Sequence, residues 1–171
     1  MSELTGRCAC GAVTYRMTSP PMITHCCHCL DCQRQTGSAF VLNALIEADR
    51  VEVQGEAAPS RMPTDSGRPH DVFRCPACGT ALWSQYGGLS SIRFMRVGTL
   101  DDPTAIQPDV HIYTRSRQPW VRLPKGARTF PAYYNSAEVW PPESLARREA
   151  AFAVGEARST ALSLAASSRS R

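Results

Sequence analysis

The segment Cys75–Gly79 reads CPACG and gives the strongest local indication of the fold. Two cysteines separated by two residues can aim both sulfurs at one tetrahedral ion, and the following glycine lets the backbone turn tightly around them. Such a knuckle supplies two ligands and needs two more. Cys8 and Cys10, beside the turn glycine Gly11, are the natural partners. The sequence therefore predicts a closed four-cysteine zinc site that ties the N-terminal strand to a distant hairpin.

A second cluster, CCHCLDC at residues 26–32, is richer in thiols. Cys27, Cys29 and Cys32 place three thiolates within six residues. A zinc held by three protein ligands keeps a fourth position for water or substrate, which is typical of a catalytic site. The same spacing also fits a second structural site, completed by one further ligand: Cys26, His25, His28 or a distant histidine.

Three residues near these ligands have more modest interpretations. Cys26 is interpreted as a small buried apolar residue, as free cysteines often are. Alternation along the chain turns His28 away from the metal, so we expect it beside the site or at the surface. His111, between Val110 and Ile112, is expected to be a strand histidine with a structural hydrogen bond.

The composition indicates one globular domain rich in β-strands. The 171 residues suffice to bury an apolar core, and 43% are hydrophobic against 20% charged. Thirteen prolines and eleven glycines predict many turns and argue against a helical bundle. A turn of helix is predicted over residues 30–35, and strands are predicted at residues 12–17, 40–47, 50–54, 70–74, 81–84, 90–98 and 110–114. We therefore predict a mainly β, mostly antiparallel domain over residues 3–135.

Residues 136–171 form a C-terminal extension rich in Ala, Ser and Arg, which is predicted to be helical or disordered. Ser144 is a candidate N-cap for a helix through the alanine-rich stretch. The apolar residues of this stretch do not form a clean stripe. A loosely attached helix that frays into disorder is therefore favoured over a helix that binds a partner.

The sequence has no feature that indicates export or a membrane. No stretch approaches the apolar length needed to span a bilayer, and the first residues lack a basic region followed by an apolar one. We expect a cytoplasmic protein, in which thiols stay reduced and close cysteine pairs bind metal. The formal charge of +4 moves toward neutral once seven thiols bind two Zn²⁺ ions as thiolates, so a nucleic-acid partner has little support. The sequence leaves a homo-oligomer open.

With their neighbours, the cysteine motifs resemble the glutathione-dependent formaldehyde-activating family, which includes the centromere protein V relatives. The resemblance covers residues 6–131. It rests on seven cysteines at matching spacing and on six blocks: CACGAV at 8–13, CHCLDCQR at 27–34, TGSAF at 36–40, FRCPACGTAL at 73–82, GTLDDP at 98–103 and PDVHIY at 108–113.

This resemblance implies a β-tent fold like that of the small guanine-nucleotide-release chaperones. The family's named activity joins formaldehyde to glutathione, giving S-hydroxymethylglutathione, and is classed among carbon–sulfur lyases. The resemblance also implies two zinc ions, a structural one on Cys8, Cys10, Cys75 and Cys78 and a catalytic one on Cys27, Cys29 and Cys32.

An open zinc with three thiolate ligands suits a thiol substrate, because the unit already carries net negative charge and polarises a carbonyl only weakly. Glutathione carries two carboxylates, so cationic contacts are expected near the cluster. Arg34 is the first candidate for the carboxylates, and Thr36 and Ser38 are candidates for hydrogen bonds to substrate. The other arginines considered are weaker candidates: Arg93, Arg96, Arg115 and Arg117.

Two other functions also fit the sequence. One is an enzyme with the same fold and open zinc that acts on a different thiol or small electrophile. The other is a zinc-stabilised binding module without catalysis, for protein or nucleic acid. A fourth protein ligand on the three-cysteine cluster would favour the module, whereas an open position beside a glutathione-sized cleft would favour the enzyme.

Overall fold

The structure is a computed structural model that describes residues 4–64 and 66–168, with side chains described through residue 155. Within these residues there are three α-helices, α1 (Leu30–Thr36), α2 (Ser136–Val139) and α3 (Pro142–Ser168). The strands are β1 (Leu4–Arg7), β2 (Thr14–Met17), β3 (Ile23–Cys27), β4 (Val41–Glu47), β5 (Val51–Gln54), β6 (Ala58–Arg61), β7 (His70–Arg74), β8 (Ala81–Tyr86), β9 (Ile92–Arg96) and β10 (Val110–Ile112). All seven predicted strands and the predicted turn of helix are present.

The strands form two sheets. One is three-stranded, in the order β1-β2-β5, and the other is seven-stranded, in the order β10-β3-β4-β9-β8-β7-β6. The mainly β prediction is confirmed. The pairing is antiparallel throughout except between β10 and β3, which run parallel. The prediction of a mostly antiparallel domain is therefore confirmed, and the one parallel pair arises because a long connection brings β10 back beside β3 in the same direction.

Strand β3, next to the edge strand β10 of the seven-stranded sheet, was not predicted from the sequence. Its five residues, ITHCC, are all buried. A strand covered on both faces shows no alternation of apolar and polar residues, which is the pattern that identifies half-buried strands. β3 lies between β10 and β4, so Cys27 is the last residue of a buried strand that is paired on both sides.

The CPACG segment forms the turn of the β7–β8 hairpin. Gly79 has φ of 73°, in the left-handed region that glycine adopts without strain, and its amide donates to the Cys75 carbonyl at 2.8 Å. The tight turn expected at this glycine is therefore present. It places the Cys75 and Cys78 side chains at one end of the hairpin.

The apolar side chains form two buried clusters, and each contains cysteines of one group. The first surrounds Ile46, Leu82 and Met95 and includes Cys8 and Cys75. The second is bounded on one side by α2 and α3 and is made by Cys27, Cys32, Met22, Ile23, Val41, Leu45, Ile92, Val110, Ile112, Val139, Trp140 and Ala151. Each cysteine group is thus anchored in its own part of the core.

The predicted helical extension is present, but its first half is not loosely attached. Ser144 lies in the first turn of α3 rather than at the N-cap, and its hydroxyl donates to the Met22 carbonyl at 2.6 Å. Arg147 donates to both carboxylate oxygens of the buried Glu47, at 2.8 and 2.6 Å. Ala151 is buried in the second apolar cluster. The expected loose attachment is therefore wrong for this half, and residues 169–171 lie outside the described residues.

In the part of the chain that the structure describes, no helix combines the length and the apolar character needed to cross a membrane.

Candidate functional site

The predicted four-cysteine group is assembled. The sulfurs of Cys8, Cys10, Cys75 and Cys78 all lie within 4.8 Å of one another. Cys8 Sγ is 3.5 Å from Cys10 Sγ, and Cys10 Sγ is 3.8 Å from Cys75 Sγ. Sulfurs about 2.3 Å from one tetrahedral zinc lie about 3.8 Å apart, so the donor set fits such an ion. All eight cysteines are free of disulfides.

Backbone and hydroxyl groups surround the sulfurs of this group. The Val13 amide donates to Cys8 Sγ at 3.3 Å, and the Thr80 hydroxyl lies 3.2 Å from Cys78 Sγ. Hydrogen bonds from the hydroxyl and amide of Thr80 lower the pKa of Cys78 to about 5. The same hydroxyl accepts from the Ala9 amide at 3.2 Å, which joins the two halves of the group. The surroundings therefore favour the thiolate at Cys78.

The predicted three-cysteine group is also assembled, from the end of β3 and the start of α1. Cys27 is the last residue of β3, and Cys29 is the N-cap of α1, where its sulfur accepts from the Cys32 amide at 3.3 Å. The three sulfurs lie within 4.8 Å of one another. Among the described residues, no fourth cysteine, histidine or carboxylate joins the group. Three donors thus converge, and one position of a tetrahedral ion stays free of protein ligands.

The three thiols of this group differ in acidity. Hydrogen bonds from Cys27 and Cys32 lower the pKa of Cys29 to about 2. Hydrogen bonding to Cys29 and Cys32, together with burial, raises the pKa of Cys27. Cys27 and Cys32 are buried, whereas Cys29 is half-buried. Cys29 is therefore both the most acidic thiol of the group and the most accessible one.

A buried arginine adjoins the same cluster. The Arg96 guanidinium is only 6% exposed, donates to the Asn43 side chain, and donates to Gln35 Oε1 at 3.0 Å. Burial lowers the pKa of Arg96, whereas the negative charges of Cys32, Cys27 and Cys29 raise it by a smaller amount. Its Nε atom is buried without a hydrogen-bond partner. Sequence analysis gave Arg96 only as a weak candidate, because the sequence of a strand does not show which face of the sheet packs near α1.

A cavity of about 440 Å³ adjoins Arg96. It lies between the C-terminal end of α1 and the turn of the β7–β8 hairpin. Its polar lining consists of Gln35, Thr36, Arg74, Thr80, Arg96 and Thr99. This volume falls within the roughly 300–1,000 Å³ of small-molecule sites. The sequence did not indicate Arg74, which directly precedes Cys75.

The three substrate-binding candidates from the sequence occupy different places. Arg34 is 71% exposed, and its guanidinium lies 3.7 Å from the Asp31 carboxylate. Thr36 lines the cavity, and its hydroxyl donates to the Cys32 carbonyl at 2.9 Å. Ser38 is exposed in the turn after α1. Among the described residues lining the cavity, only Thr36 belongs to this predicted set.

Cys26, His28 and His111 form a third, separate group, with their donor atoms within 4.8 Å of one another. All three are buried, so the expected burial of Cys26 is confirmed and a surface position for His28 is wrong. His28 Nε2 is 3.1 Å from His111 Nδ1, and the parallel register places His111 opposite Cys26. The expected structural hydrogen bond of His111 is therefore present. It joins β10 to the residue between Cys27 and Cys29.

Tyr113 also adjoins the three-cysteine cluster. It is the only described residue other than glycine with positive φ, at 55°, and it follows β10 directly. Burial raises the pKa of its phenol, with smaller contributions from the charges of Cys27 and Cys29 among others. Tyr113 therefore keeps its proton at neutral pH beside the sulfurs. Its position depends on the β10–β3 pairing, which the sequence does not reveal.

A protein-family model matches most of this chain. Residues 3–116 match the model of the glutathione-dependent formaldehyde-activating enzymes, abbreviated GFA, over well more than half of the chain. The chain belongs to the GFA family. The matched residues contain both cysteine groups, Arg96 and Tyr113. They end before α2 and α3, which the GFA match does not include.

Two further proteins are similar to this GFA-family chain. A provisionally named glutathione-dependent formaldehyde-activating enzyme of Halomonas elongata is 26% identical over 126 residues, which cover 70% of this chain and 80% of that protein. A crystal structure of a Rhodobacter sphaeroides protein has 18% identity and a TM-score of 0.45, and it covers 61% of this chain and 91% of that one.

Proposed function

We propose that this protein is a zinc-dependent lyase-type enzyme that condenses formaldehyde with glutathione to S-hydroxymethylglutathione. Membership of the GFA family supports the reaction class. The observation that carries the proposal is the convergence of Cys27, Cys29 and Cys32 on one point with no fourth protein ligand among the described residues. In this proposal Cys8, Cys10, Cys75 and Cys78 hold a second zinc with a structural role.

Zinc fits the donor sets of both groups. Thiolate sulfur is a preferred zinc ligand, and the sulfur separations match those of a tetrahedral site. When bound, zinc supplies a soft Lewis acid with an open position that accepts a thiol and lowers its pKa. Cys26 and His28 belong to the third group and do not close this position. That separation supports the enzyme over a module with a saturated zinc.

The surrounding side chains supply charge balance and proton donors. Three thiolates and one Zn²⁺ carry a net charge of −1, and the buried Arg96 guanidinium offsets that charge from the side of β9. Tyr113 is a protonated phenol beside the sulfurs and is available to donate to the oxygen of the aldehyde as negative charge develops there. Cys27 and Cys32 are buried, which limits water around the cluster.

The test uses reduced, zinc-loaded, full-length protein. Metal analysis by mass spectrometry is expected to give two zinc ions per chain, calorimetry is expected to detect glutathione binding, and formaldehyde loss is expected to exceed the spontaneous reaction only with glutathione present. Cys29→Ser is expected to abolish the excess rate and retain the fold. Cys26→Ser, which removes the thiol of the third group, is the matched control and is expected to keep the rate.

A rate equal to the spontaneous one in wild type contradicts the proposal. Two zinc ions without glutathione binding would instead support the binding module. An excess rate with another small thiol and none with glutathione would support the related enzyme with a different substrate.

A further inference from the structure

We propose that the cavity between the two cysteine clusters is a carboxylate-binding subsite, built on Arg74, that makes the enzyme prefer thiols carrying a carboxylate. This inference deepens the proposed function and rests on it. The cavity is bordered by the end of α1 on one side and by residues 79–81, next to the CPACG turn, on the other. Arg96 connects it to the three-cysteine cluster, because this arginine lines the cavity and interacts with the charges of Cys27, Cys29 and Cys32.

Two arginines line this cavity without any carboxylate partner among the described residues. The ion pairs of these residues use other arginines, and neither Arg74 nor Arg96 takes part in one. The two guanidinium charges are close enough to repel each other. Two neighbouring cations without a carboxylate partner at the wall of a cavity favour an anionic ligand.

The two arginines of the cavity differ in burial and in the groups that they face. Arg96 is almost fully buried and faces the sulfurs of Cys27, Cys29 and Cys32, so its charge offsets the net negative charge of that cluster. Arg74 is half-buried, and no carboxylate of the described residues forms an ion pair with it. Arg74 is therefore the arginine of the cavity that is available to one carboxylate of a ligand.

The backbone holds the Arg74 guanidinium in place. Its Nη1 donates to the Gly79 carbonyl at 3.1 Å, and its Nη2 lies 3.5 Å from the Gln35 carbonyl. These two contacts use carbonyl oxygens, and among the described residues no carboxylate pairs with the guanidinium. A planar guanidinium fixed in this way presents its remaining donors to a carboxylate in a defined direction. The hydroxyls of Thr36, Thr80 and Thr99 lie around the same cavity and offer further hydrogen bonds.

The first test uses S-methylglutathione, which keeps both carboxylates of glutathione and has no free thiol. Calorimetry at low salt is expected to detect binding to the zinc-loaded full-length protein. Arg74→Gln is expected to weaken binding about tenfold or more, because a charge-assisted hydrogen bond is lost. Arg61→Gln removes an exposed arginine that is paired with Asp71 and does not line the cavity, and it is expected to leave the affinity unchanged. Equal affinity in wild type and Arg74→Gln, or no binding to wild type, overturns the proposal.

The second test measures specificity between thiols. Arg74→Gln is expected to raise the KM for glutathione about tenfold and to leave the KM for cysteamine, which has no carboxylate, unchanged. Arg74→Lys is expected to restore part of the preference, since it keeps the charge without the planar fork. An equal loss for both thiols would indicate a merely structural role and overturn the subsite. Binding of S-methylglutathione does not require turnover, so failure of the proposed reaction and failure of the subsite give different results.

Discussion

The four-cysteine and three-cysteine groups use the same ligand in opposite ways. The first joins residues that are far apart in sequence, with Cys10 and Cys75 separated by 65 positions, and its four sulfurs complete a tetrahedral set. The second comes from one short segment at the end of β3 and the start of α1, and its three sulfurs leave a position free. In the proposed function, this difference corresponds to two roles: the first group stabilises the fold and the second performs the chemistry.

The surroundings of the two groups differ in the same sense. Cys10 and Cys78 are exposed at the CPACG turn, and hydroxyl and amide donors stabilise the sulfurs there. The three-cysteine cluster instead adjoins a buried guanidinium, a strained tyrosine and, beyond Arg96, a cavity. A purely structural site needs none of these groups. The cavity lies between the two groups, whereas the buried guanidinium and the tyrosine act on the sulfurs of the three-cysteine cluster, and this supports our proposal that the substrate binds there.

The largest expected effect is on the free energy of unfolding, which should fall more when a ligand of the four-cysteine group is removed than when one of the three-cysteine group is. Cys75→Ser removes a buried ligand of the closed group, and we expect loss of one zinc and a fall in the free energy of unfolding on the order of several kcal/mol, because the energy of a structural zinc is folding energy. Cys29→Ser is expected to lose the other zinc with a much smaller fall. Urea unfolding with metal analysis measures both. A larger fall for Cys29→Ser would reverse the assignment of the two roles.

A series of chelators of increasing zinc affinity compares how tightly the two groups hold zinc at equilibrium. The three-cysteine cluster offers one thiolate fewer, so we expect it to release zinc to weaker chelators than the closed group does. Glutathione-dependent turnover should disappear at that first step, while the circular dichroism spectrum changes only at the second. Exposure of Cys10 and Cys78 affects the rate of release rather than this order. Simultaneous loss of both zinc ions, or unfolding before loss of turnover, would contradict the distinction.

A smaller effect is expected from the attachment of α3, which covers the part of the core that contains Cys27 and Cys32. Arg147→Ala removes the arginine that donates to both carboxylate oxygens of Glu47, whose side chain is 9% exposed, and leaves only Arg50, 3.3 Å from Glu47 Oε1. We expect a loss of about 2 kcal/mol. Zinc in the closed group, which lies in the other apolar cluster, should be retained. Thermal unfolding and zinc content measure the two effects.

The pH dependence of this ion pair provides a further check on the same variant. Burial raises the pKa of Glu47, but the hydrogen bonds and charge of Arg147, together with a backbone hydrogen bond and the charge of Arg50, more than offset this, so its pKa is lowered below 4.5. A lowered pKa contributes stability that is present above the unfolded value and is lost as pH falls through the folded value. The stability difference between wild type and Arg147→Ala should therefore shrink as pH falls below 4.5. When Glu47→Gln, which cannot ionise, is present both with and without Arg147→Ala, the stability difference between the two proteins should no longer change with pH in this range.

The sequence by itself determined the membership of the two cysteine groups. Cysteines two or three positions apart bring their sulfurs together whatever the rest of the fold, so Cys27, Cys29 and Cys32, and the CPACG pair, could be assigned from spacing. Glycine at position 79 likewise predicted a tight turn, which its positive φ confirms. The β class followed from turn-forming residues and alternating runs, and seven strands were found in this way.

Only the tertiary structure decided what lies beside those groups. Arg74 and Arg96 reach the cavity because β7 and β9 lie in one sheet facing the end of α1, and strand order is not encoded in local sequence. His111 meets His28 only through the parallel pairing of β10 with β3, across 83 positions. The attachment of α3 depends on single long-range contacts, such as that of Ser144 with Met22. The local spacing of the cysteines thus determined which sulfurs lie together, and long-range packing determined which charged residues and which cavity lie beside them.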